Sequence, residues 1–520
     1  MRVLLLLLPA CLAFLRPAAG TTITIDNAIE RQTIYGFGAT QNSEWFGSDP
    51  ITASQRQRAN DLLFNQIGMN TGNVSWLQEA PASSSDPFND QANDNADPFT
   101  INWAGFNTRR ADFKRTRLLD AAPGDAAPTS GGLYGTHDIN VRWGSKWLGT
   151  IRSNNYSAYL DECAEHVLAG LTYWIQETGG AEPDLIAIFN EPSSGNQELG
   201  TSPARPDSEI VDLVKRIGDR LRAAGFNKVR LVTPNQETVS KSIQTARAIL
   251  NDAQARQYIG VIGYHPYPYR SAYSYVPNVL SASGQGNPSA TAVQERRELA
   301  ALAASYGIPV WMTEVSHAFM GEDNVQYNDF RVLRGRAIHI HDEMKYTSAS
   351  AFFAMMNMWS KTAQAWHFGG DGSDMWTNSH DDLVLIDQST DRVLLSGTAY
   401  ALGHYGRWIR RGAVRLESAS SDPLVQATAF RDDRLGRLVT VLINNSSSSR
   451  TIDVNVKGLG LAGAVQGEQS TQTGGYWTPL ASFNAGASGF SATAPPYSVT
   501  TYAAPYAKPG ATTASRWRRY

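Results

Sequence analysis

The sequence predicts an α/β fold: a closed (β/α)8 TIM barrel with a smaller β-sandwich domain beside it. Short apolar strands alternate with helices over roughly 300 residues, which is the length of a single large barrel. After about Gly397 the helices give way to short strands between Gly, Ser and Pro clusters. Strands buried on both faces and separated by helices indicate a parallel sheet, and so many repeats close most simply as a barrel. A doubly wound open sheet is the alternative.

Length and composition limit the class of protein. The chain has 520 residues, of which 42% are hydrophobic, so it has enough apolar surface for a large core. Its 45 Lys and Arg against 48 Asp and Glu give a net charge of −3. Such a balance argues against a dedicated nucleic-acid binder, which needs a surplus of basic residues to neutralise phosphates.

The amino terminus has the pattern of a signal peptide. Met1 and Arg2 precede an apolar run at 3–15, and small residues follow at 18–20. The run is shorter than the ~20 residues of a spanning helix, and no second long apolar segment follows. We therefore expect a secreted, extracellular protein that does not enter the membrane. Removal of Cys11 with the leader leaves Cys163 alone, so no intramolecular disulfide is expected.

The barrel elements follow one another in the order that a (β/α)8 fold requires. Helices are predicted at 55–66, 155–177, 209–224, 245–257, 290–306 and 328–346. Strands are predicted at 69–76, 185–189, 229–232, 259–264, 310–313 and 351–356. The polar segments 80–102 and 121–132 are predicted as long loops, and Gly36-Phe37-Gly38 as a tight turn.

The carboxy-terminal region is predicted to be antiparallel. Apolar runs at 438–443 and 451–456 flank a turn-rich segment, which is a hairpin signature and suits a sandwich. A strand-like segment at 22–26 precedes the barrel and could pair into it.

Two glutamates carry the expected chemistry because each follows a predicted barrel strand. Glu191 ends the strand at 185–189, and Glu314 ends the strand at 310–313. The carboxyl ends of parallel barrel strands share one rim, so both side chains should meet there. Glycoside cleavage needs such a pair, one acid to protonate the leaving oxygen and one carboxylate to attack. A single glutamate in this position more often caps a helix or forms a surface salt bridge; the pair favours catalysis.

Aromatic residues suggest how a sugar could be held. His265 and Tyr267 end the strand at 259–264, and either could donate to Glu314 or pack at the barrel mouth. Trp143 and Trp359 are candidate stacking platforms, because the C–H faces of a pyranose pack on indole; each is as readily a core residue. No metal-ligand spacing and no GxSxG elbow occurs, so neither a metal nor a cofactor is predicted.

At these residues the chain resembles the retaining glycoside hydrolases of clan A, and within them glycoside hydrolase family 30, as a distant branch. The resemblance covers most of the mature chain. It is carried by residues 32–39 (QTIYGFGA), Asn190-Glu191-Pro192, His265-Pro266-Tyr267, Thr313-Glu314 and residues 400–413 (YALGHYGRWIRRGA). The last motif is fairly specific, whereas Asn-Glu-Pro alone is shared across the clan.

The sequence patterns and the resemblance together predict how the chain is divided. A signal peptide would occupy 1–20, an N-terminal strand of the side β domain 21–35, the catalytic barrel 36–395, the C-terminal sandwich 396–506 and a disordered tail 507–520.

The resemblance also implies residue roles. Glu191 would be the acid/base and Glu314 the nucleophile, while Asn190 would bond the sugar 2-hydroxyl and Tyr267 would steady Glu314. Asn73 stands where the family usually has an Arg near the nucleophile, which removes one cation from the site.

The predicted function is therefore retaining hydrolysis of a neutral polysaccharide or oligosaccharide by a monomer. Activities like those of an endo-β-1,6-galactanase, a β-1,6-glucanase or a xylanase fit this class. The rival is a carbohydrate-binding or cell-wall protein on an inactive barrel, although such a site usually loses one of its acids.

Overall fold

The computed structural model describes most of the chain. The described residues are 20–40, 51–74, 78–79, 92–107, 136–138, 146–177, 182–194, 204–267, 289–316, 325–368, 370–378 and 382–506. Trp143, residues 1–19 of the predicted signal peptide and the predicted tail at 507–520 lie outside them.

Eight parallel strands form a closed barrel, as predicted. In order around the barrel they are Gly36–Thr40, Thr71–Val74, Thr136–Asp138, Leu185–Ala187, Arg230–Gln236, Ile259–Tyr264, Val310–Met312 and Ala349–Ala354, and the eighth pairs with the first. Glu191 follows the fourth strand and Glu314 the seventh, so both lie at the carboxyl rim.

Alternate residues of each barrel strand belong to two different cores, one inside the barrel and one outside it. Successive side chains of a strand point to opposite faces, which produces this alternation. Leu185, Val232 and Trp311 belong to a small cluster inside the barrel, where Trp311 lies 4.2 Å from the Tyr35 ring. Their neighbours, such as Ile186, belong to the large core outside the barrel that packs the helices. A fully buried residue of this size stabilises a fold by about 1.5–3 kcal/mol.

The glycine-rich segment at 36–38 is a strand, so its prediction as a tight turn is wrong. Gly36–Thr40 forms the first barrel strand between the eighth and the second. A Cβ atom on Gly38 would lie 1.8 Å from the Thr71 carbonyl oxygen. Glycine is therefore needed here for close backbone approach, and the strand with Asn73 becomes the second of the barrel.

The helices lie in the chain order that the sequence predicts. They are Ala53–Asp61, Lys146–Asn154, Tyr156–Glu177, Asp207–Ala223, Val239–Asn251, Ala253–Arg256, Ala290–Ser305, Phe330–Asp342, Lys361–Phe368, Met375–Asn378 and Gly397–Gly406, with single turns at Trp103–Gly105, Leu62–Gln66 and Glu343–Thr347. Short additional strands are Gln78–Glu79, Phe106–Asn107, Met356–Ser360, Asp382–Asp387 and Arg392–Leu395. None of the helices in the described part of the chain is long and apolar enough to cross a membrane.

The carboxy-terminal region is a curled sheet that packs on itself as a sandwich. Its strands are Val414–Ser420, Val425–Asp432, Arg437–Asn444, Arg450–Lys457, Ala464–Thr471, Gly475–Pro479, Phe483–Asn484, Gly489–Ala494 and Ser498–Pro505. The strand Thr21–Thr33 joins this sheet rather than the barrel, parallel to Arg450–Lys457 and antiparallel to Val414–Ser420. Ile23 and Ile25 of that strand pack in the sandwich core with Leu442.

The predicted hairpin between the runs at 438–443 and 451–456 is wrong. Arg437–Asn444 pairs with Val425–Asp432 and Ser498–Pro505, whereas Arg450–Lys457 pairs with Thr21–Thr33 and Gly489–Ala494. The strand Thr21–Thr33, from the other end of the sequence, takes the place of the expected hairpin partner of Arg450–Lys457. The turn between the two runs therefore carries the chain from one layer of the sandwich to the other.

Candidate active site

The two predicted acids meet at the barrel mouth. Glu191 is 7% exposed, and the Glu314 side chain is 16% exposed. His265, after the sixth strand, lies between them with its Nδ1 2.9 Å from Glu191 Oε1 and 3.7 Å from Glu314 Oε1. A carboxylate oxygen of each acid and a His265 ring nitrogen all lie within 4.8 Å of one another. Both carboxyl groups can therefore reach the same atom of a ligand.

The backbone of Glu191 is held in an uncommon conformation. Its φ is 48°, in the left-handed region that residues other than glycine seldom adopt. The Glu191 N–H donates to the Asn235 carbonyl at 2.8 Å, which fixes the turn after the fourth strand. Such strain persists where the surrounding structure enforces it, and it is frequent at functional sites.

Asn235 connects the two acids through the fifth strand. Its Nδ2 donates to the Phe189 carbonyl at 3.1 Å, and its Oδ1 accepts from Thr313 Oγ1 at 2.9 Å. Thr313 directly precedes Glu314, so one buried asparagine positions the residues beside both carboxylates. Neither Asn235 nor Thr313 was predicted as a site residue, because the bonds that join them run across strands far apart in sequence.

Tyr267 fixes the Glu314 carboxylate. Its hydroxyl donates to Glu314 Oε1 at 3.0 Å and accepts from the Ser316 N–H at 2.9 Å. Its ring meets the His265 ring edge-on, with centroids 5.8 Å apart. A hydrogen bond to an ionised carboxylate favours the charged form that a nucleophile needs.

The other face of the sixth strand carries a buried ionic network. Tyr264 and Arg296 both donate to Glu343 behind the barrel wall. Burial raises the pKa of Tyr264 well above its ordinary value, so its hydroxyl remains a donor. Burial alone would raise the pKa of Glu343, but Arg296, His339 and the Thr347 hydroxyl together hold the pKa below its usual value. This network anchors the strand that presents His265 and Tyr267.

The remaining predicted residues fall in different places. Asn190 is half-buried next to Glu191, and Asn73 lies on the second strand, paired with Thr40 and Thr136.

Trp359 does not offer a stacking face, and that prediction is corrected. It is 2% exposed, packs with Met356 and Leu385, and its Nε1 donates to Gln364 Oε1 at 2.7 Å. The strand Met356–Ser360 turns the indole into a satellite core beyond the eighth barrel strand.

The active-site trio of Glu191, His265 and Glu314 also has the donor types of a metal centre. One oxygen of each carboxylate is already engaged, by His265 on Glu191 and by Tyr267 on Glu314. Two hydrogen-bonded acids at the carboxyl rim of a barrel suit acid–base and nucleophilic chemistry directly.

Known proteins resemble the chain over nearly its whole length. Residues 412–502 match the model of the glycosyl hydrolase family 30 beta sandwich domain. A glucuronoxylanase from Bacillus subtilis is 21% identical over 83% of this chain and 79% of its own length. A putative glucosylceramidase from Caenorhabditis elegans is 23% identical over 82% of this chain and 76% of its own length.

Solved structures agree on the fold. The catalytic domain of a family 30 xylanase from Talaromyces cellulolyticus superposes with a TM-score of 0.64 at 18% identity, covering 93% of this chain and 99% of that one. An endo-beta1,6-glucanase superposes with a TM-score of 0.59 at 16% identity, covering 93% and 94%. The barrel with its side sandwich is confirmed, as are the resemblance to glycoside hydrolase family 30 and the expectation of a glycoside hydrolase.

Proposed function

Because the chain carries the sandwich domain of glycoside hydrolase family 30 beside a barrel with two acids at its mouth, we propose that it is a secreted, retaining β-glycosidase. Its substrate would be a neutral polysaccharide or oligosaccharide. The proposal includes the roles of the acids, with Glu314 as nucleophile and Glu191 as acid/base.

One observation carries the mechanism: the short distance between the two carboxylates. One oxygen of Glu191 and one oxygen of Glu314 lie within 4.8 Å of each other. Retaining enzymes hold their carboxyl groups about 5–5.5 Å apart, whereas inverting enzymes need about 6.5–9.5 Å to admit a water between acid and sugar. The separation therefore supports direct attack by a carboxylate on the anomeric carbon.

The first step forms a glycosyl-enzyme. A Glu314 oxygen attacks the anomeric carbon and the glycosidic C–O bond breaks. The proton on Glu191 passes to the leaving oxygen, so the departing sugar leaves as a neutral alcohol. Tyr267 keeps Glu314 oriented for the attack.

The second step reverses the roles. Glu191, now a carboxylate, takes a proton from water, and the water oxygen attacks the anomeric carbon. The bond to Glu314 breaks and the sugar leaves with its original configuration. His265 Nδ1, 2.9 Å from Glu191, orients this carboxyl group through both steps.

The substrate class is drawn from composition and from the relatives. The net charge of −3 gives no basic surplus for an acidic polymer. The relatives bear the names glucuronoxylanase, xylanase and endo-beta1,6-glucanase. We therefore place xylan and β-1,6-glucan first in a substrate panel and β-1,6-galactan after them, with product analysis to separate endo from exo action.

Glu314→Gln tests the nucleophile. On the substrate that the panel identifies, kcat should fall about 10,000-fold, because the amide cannot form the covalent ester. Glu182→Gln is the matched control, since this exposed glutamate lies just before the fourth strand, at the opposite end of the barrel. The control should keep wild-type kinetics, and both variants should melt near the wild-type temperature. Near-normal turnover by Glu314→Gln would refute the assignment.

A further inference from the structure

A second group of carboxylates lies away from the active site. Asp94 stands on the segment 92–107, which follows the second barrel strand, and Glu162 and Glu165 stand on the helix Tyr156–Glu177. A carboxylate oxygen of each lies within 4.8 Å of the other two. We call these three residues the loop–helix cluster.

The loop–helix cluster is withdrawn from water. Asp94 is 9% exposed, Glu162 is 3% exposed and Glu165 is fully buried. The charged neighbours of Glu162 include Asp97 and Asp161, which add negative charge. Burying carboxylates this close together is costly unless opposite charge compensates them.

Two of the buried oxygens accept no hydrogen bond from the described residues, although the Asn93 side chain bonds to the Glu162 carboxyl group. Glu162 Oε2 and Asp94 Oδ1 are sealed from solvent and accept no hydrogen bond. Asp94 is otherwise well bonded, since its Oδ2 accepts from the Asn102 N–H at 2.6 Å and from Asn95 Nδ2 at 2.9 Å. The buried Asn93 Oδ1 also lacks a donor. Buried oxygens that lack donors are the groups that a hard cation satisfies.

The segment that carries Asp94 is held firmly against its surroundings. Phe106 packs on Ala169 of the helix, and Arg220 donates to the Pro98 carbonyl at 2.8 Å. A Cβ on Gly105 would lie 2.5 Å from Asp94 Cα, so only glycine lets the two ends of the segment approach so closely. The carboxylates are thus preorganised rather than drawn together by chance.

We propose that the loop–helix cluster binds a calcium ion, which fastens the segment 92–107 to the helix Tyr156–Glu177. Calcium takes six to eight oxygen ligands at about 2.3–2.6 Å, so ligands on opposite sides of the ion lie about 5 Å apart. Carboxylate oxygens that lie within 4.8 Å of one another can all contact one such ion. Magnesium demands a near-ideal octahedron and gives up its waters reluctantly, so buried carboxylates from two separate segments suit it less well. Asp94 lies far from the two glutamates in sequence, which is why spacing alone predicted no metal.

Calcium binding to the full-length chain is measured by isothermal titration calorimetry and by thermal unfolding in EDTA, in CaCl2 and in MgCl2. We expect one calcium per chain and a rise in Tm of roughly 5 °C over EDTA, with a smaller rise in magnesium. Unchanged Tm and no heat of binding in the wild-type protein would overturn the proposal.

Variants of the loop–helix cluster test whether its residues cause the calcium-dependent rise in Tm. Glu162→Gln and Asp94→Asn should each remove most of the calcium-dependent rise in Tm. In EDTA, Glu162→Gln should be at least as stable as the wild type, because one buried charge is gone. Asp97→Asn is the matched control, since it removes the same charge from the exposed part of the same segment and should keep the full rise. An equal calcium response in Glu162→Gln and the wild type would show that any bound calcium lies elsewhere.

Discussion

The active-site trio and the loop–helix cluster each bring carboxylates close together but satisfy them differently. In the trio, His265 contacts the Glu191 carboxylate and Tyr267 donates to Glu314. In the cluster, Glu162 and Asp94 each keep a buried oxygen that accepts no hydrogen bond from the described residues. In both groups, one oxygen of each carboxylate lies within 4.8 Å of an oxygen of the other acids.

The difference shows that proximity alone does not define a function for paired acids. Carboxylates that receive directional hydrogen bonds at a barrel rim are oriented for proton transfer and attack. Buried carboxylates with unused oxygens are instead stabilised by a bound positive charge. The expected consequence is a clean separation: changes in the trio should affect turnover, and changes in the cluster should affect cation-dependent stability.

The largest expected effect after Glu314→Gln is that of Glu191→Ala. Loss of the acid should lower kcat on natural substrates about 1,000-fold, and much less on an aryl glycoside whose leaving group needs no proton. Sodium azide should restore turnover and yield a β-glycosyl azide, since the azide anion needs no base. Failure of azide to rescue, with the aryl glycoside slowed equally, would remove Glu191 from the acid/base role.

A comparison of Glu191→Gln with Glu162→Gln tests whether the two groups of acids act independently, one on turnover and the other on cation-dependent stability. Glu191→Gln should lose activity and keep its calcium-dependent rise in Tm. Glu162→Gln in calcium should keep kcat within about threefold of wild type and lose that rise. Kinetics and melting are measured on the same preparations, and a variant that loses both properties would show that the two groups are coupled.

Tyr267→Phe should have an intermediate effect. Loss of its hydroxyl removes one hydrogen bond to Glu314, and kcat/KM should fall about 10- to 100-fold, as with other charge-assisted bonds at reacting groups. Tyr258→Phe is the matched control, because it also breaks a tyrosine–carboxylate bond, to Asp219, at the opposite end of the sixth strand. An equal loss of activity in both variants would indicate a general effect on folding.

The smallest expected effect is that of Thr313→Val. Its Oγ1 donates to Asn235 Oδ1, and losing that buried bond should cost about 1–2 kcal/mol of unfolding free energy in urea. A several-fold drop in kcat should accompany it, because Asn235 also holds the turn that carries Glu191. A kcat identical to wild type would limit the Asn235 bridge to a structural role.

The sequence was sufficient for features that depend on local periodicity. Strands such as Ile259–Tyr264 are continuous apolar runs between helices, and their order alone puts the residues that follow at one rim. Glu191 and Glu314 could be located in this way without any knowledge of pairing.

Features that depend on long-range pairing could not be predicted. The hairpin at 438–456 is predicted from neighbouring residues alone. In the structure, the strand Thr21–Thr33, from the other end of the chain, pairs with Arg450–Lys457 instead. The Asp94–Glu162 contact likewise exists only after the segment 92–107 packs on the helix. The prediction for Trp359 is wrong for another reason. An indole suits a core and a sugar platform equally well, and only the burial of the side chain distinguishes the two.

Covalent trapping tests the central claim most directly. The enzyme is incubated with the 2-deoxy-2-fluoro β-glycosyl fluoride of the sugar that the panel identifies, then digested and analysed by mass spectrometry. The account predicts one fluoroglycosyl group on the peptide that contains Glu314, and no label in Glu314→Gln. A label on the Glu191 peptide, or products released with inverted configuration, would contradict it.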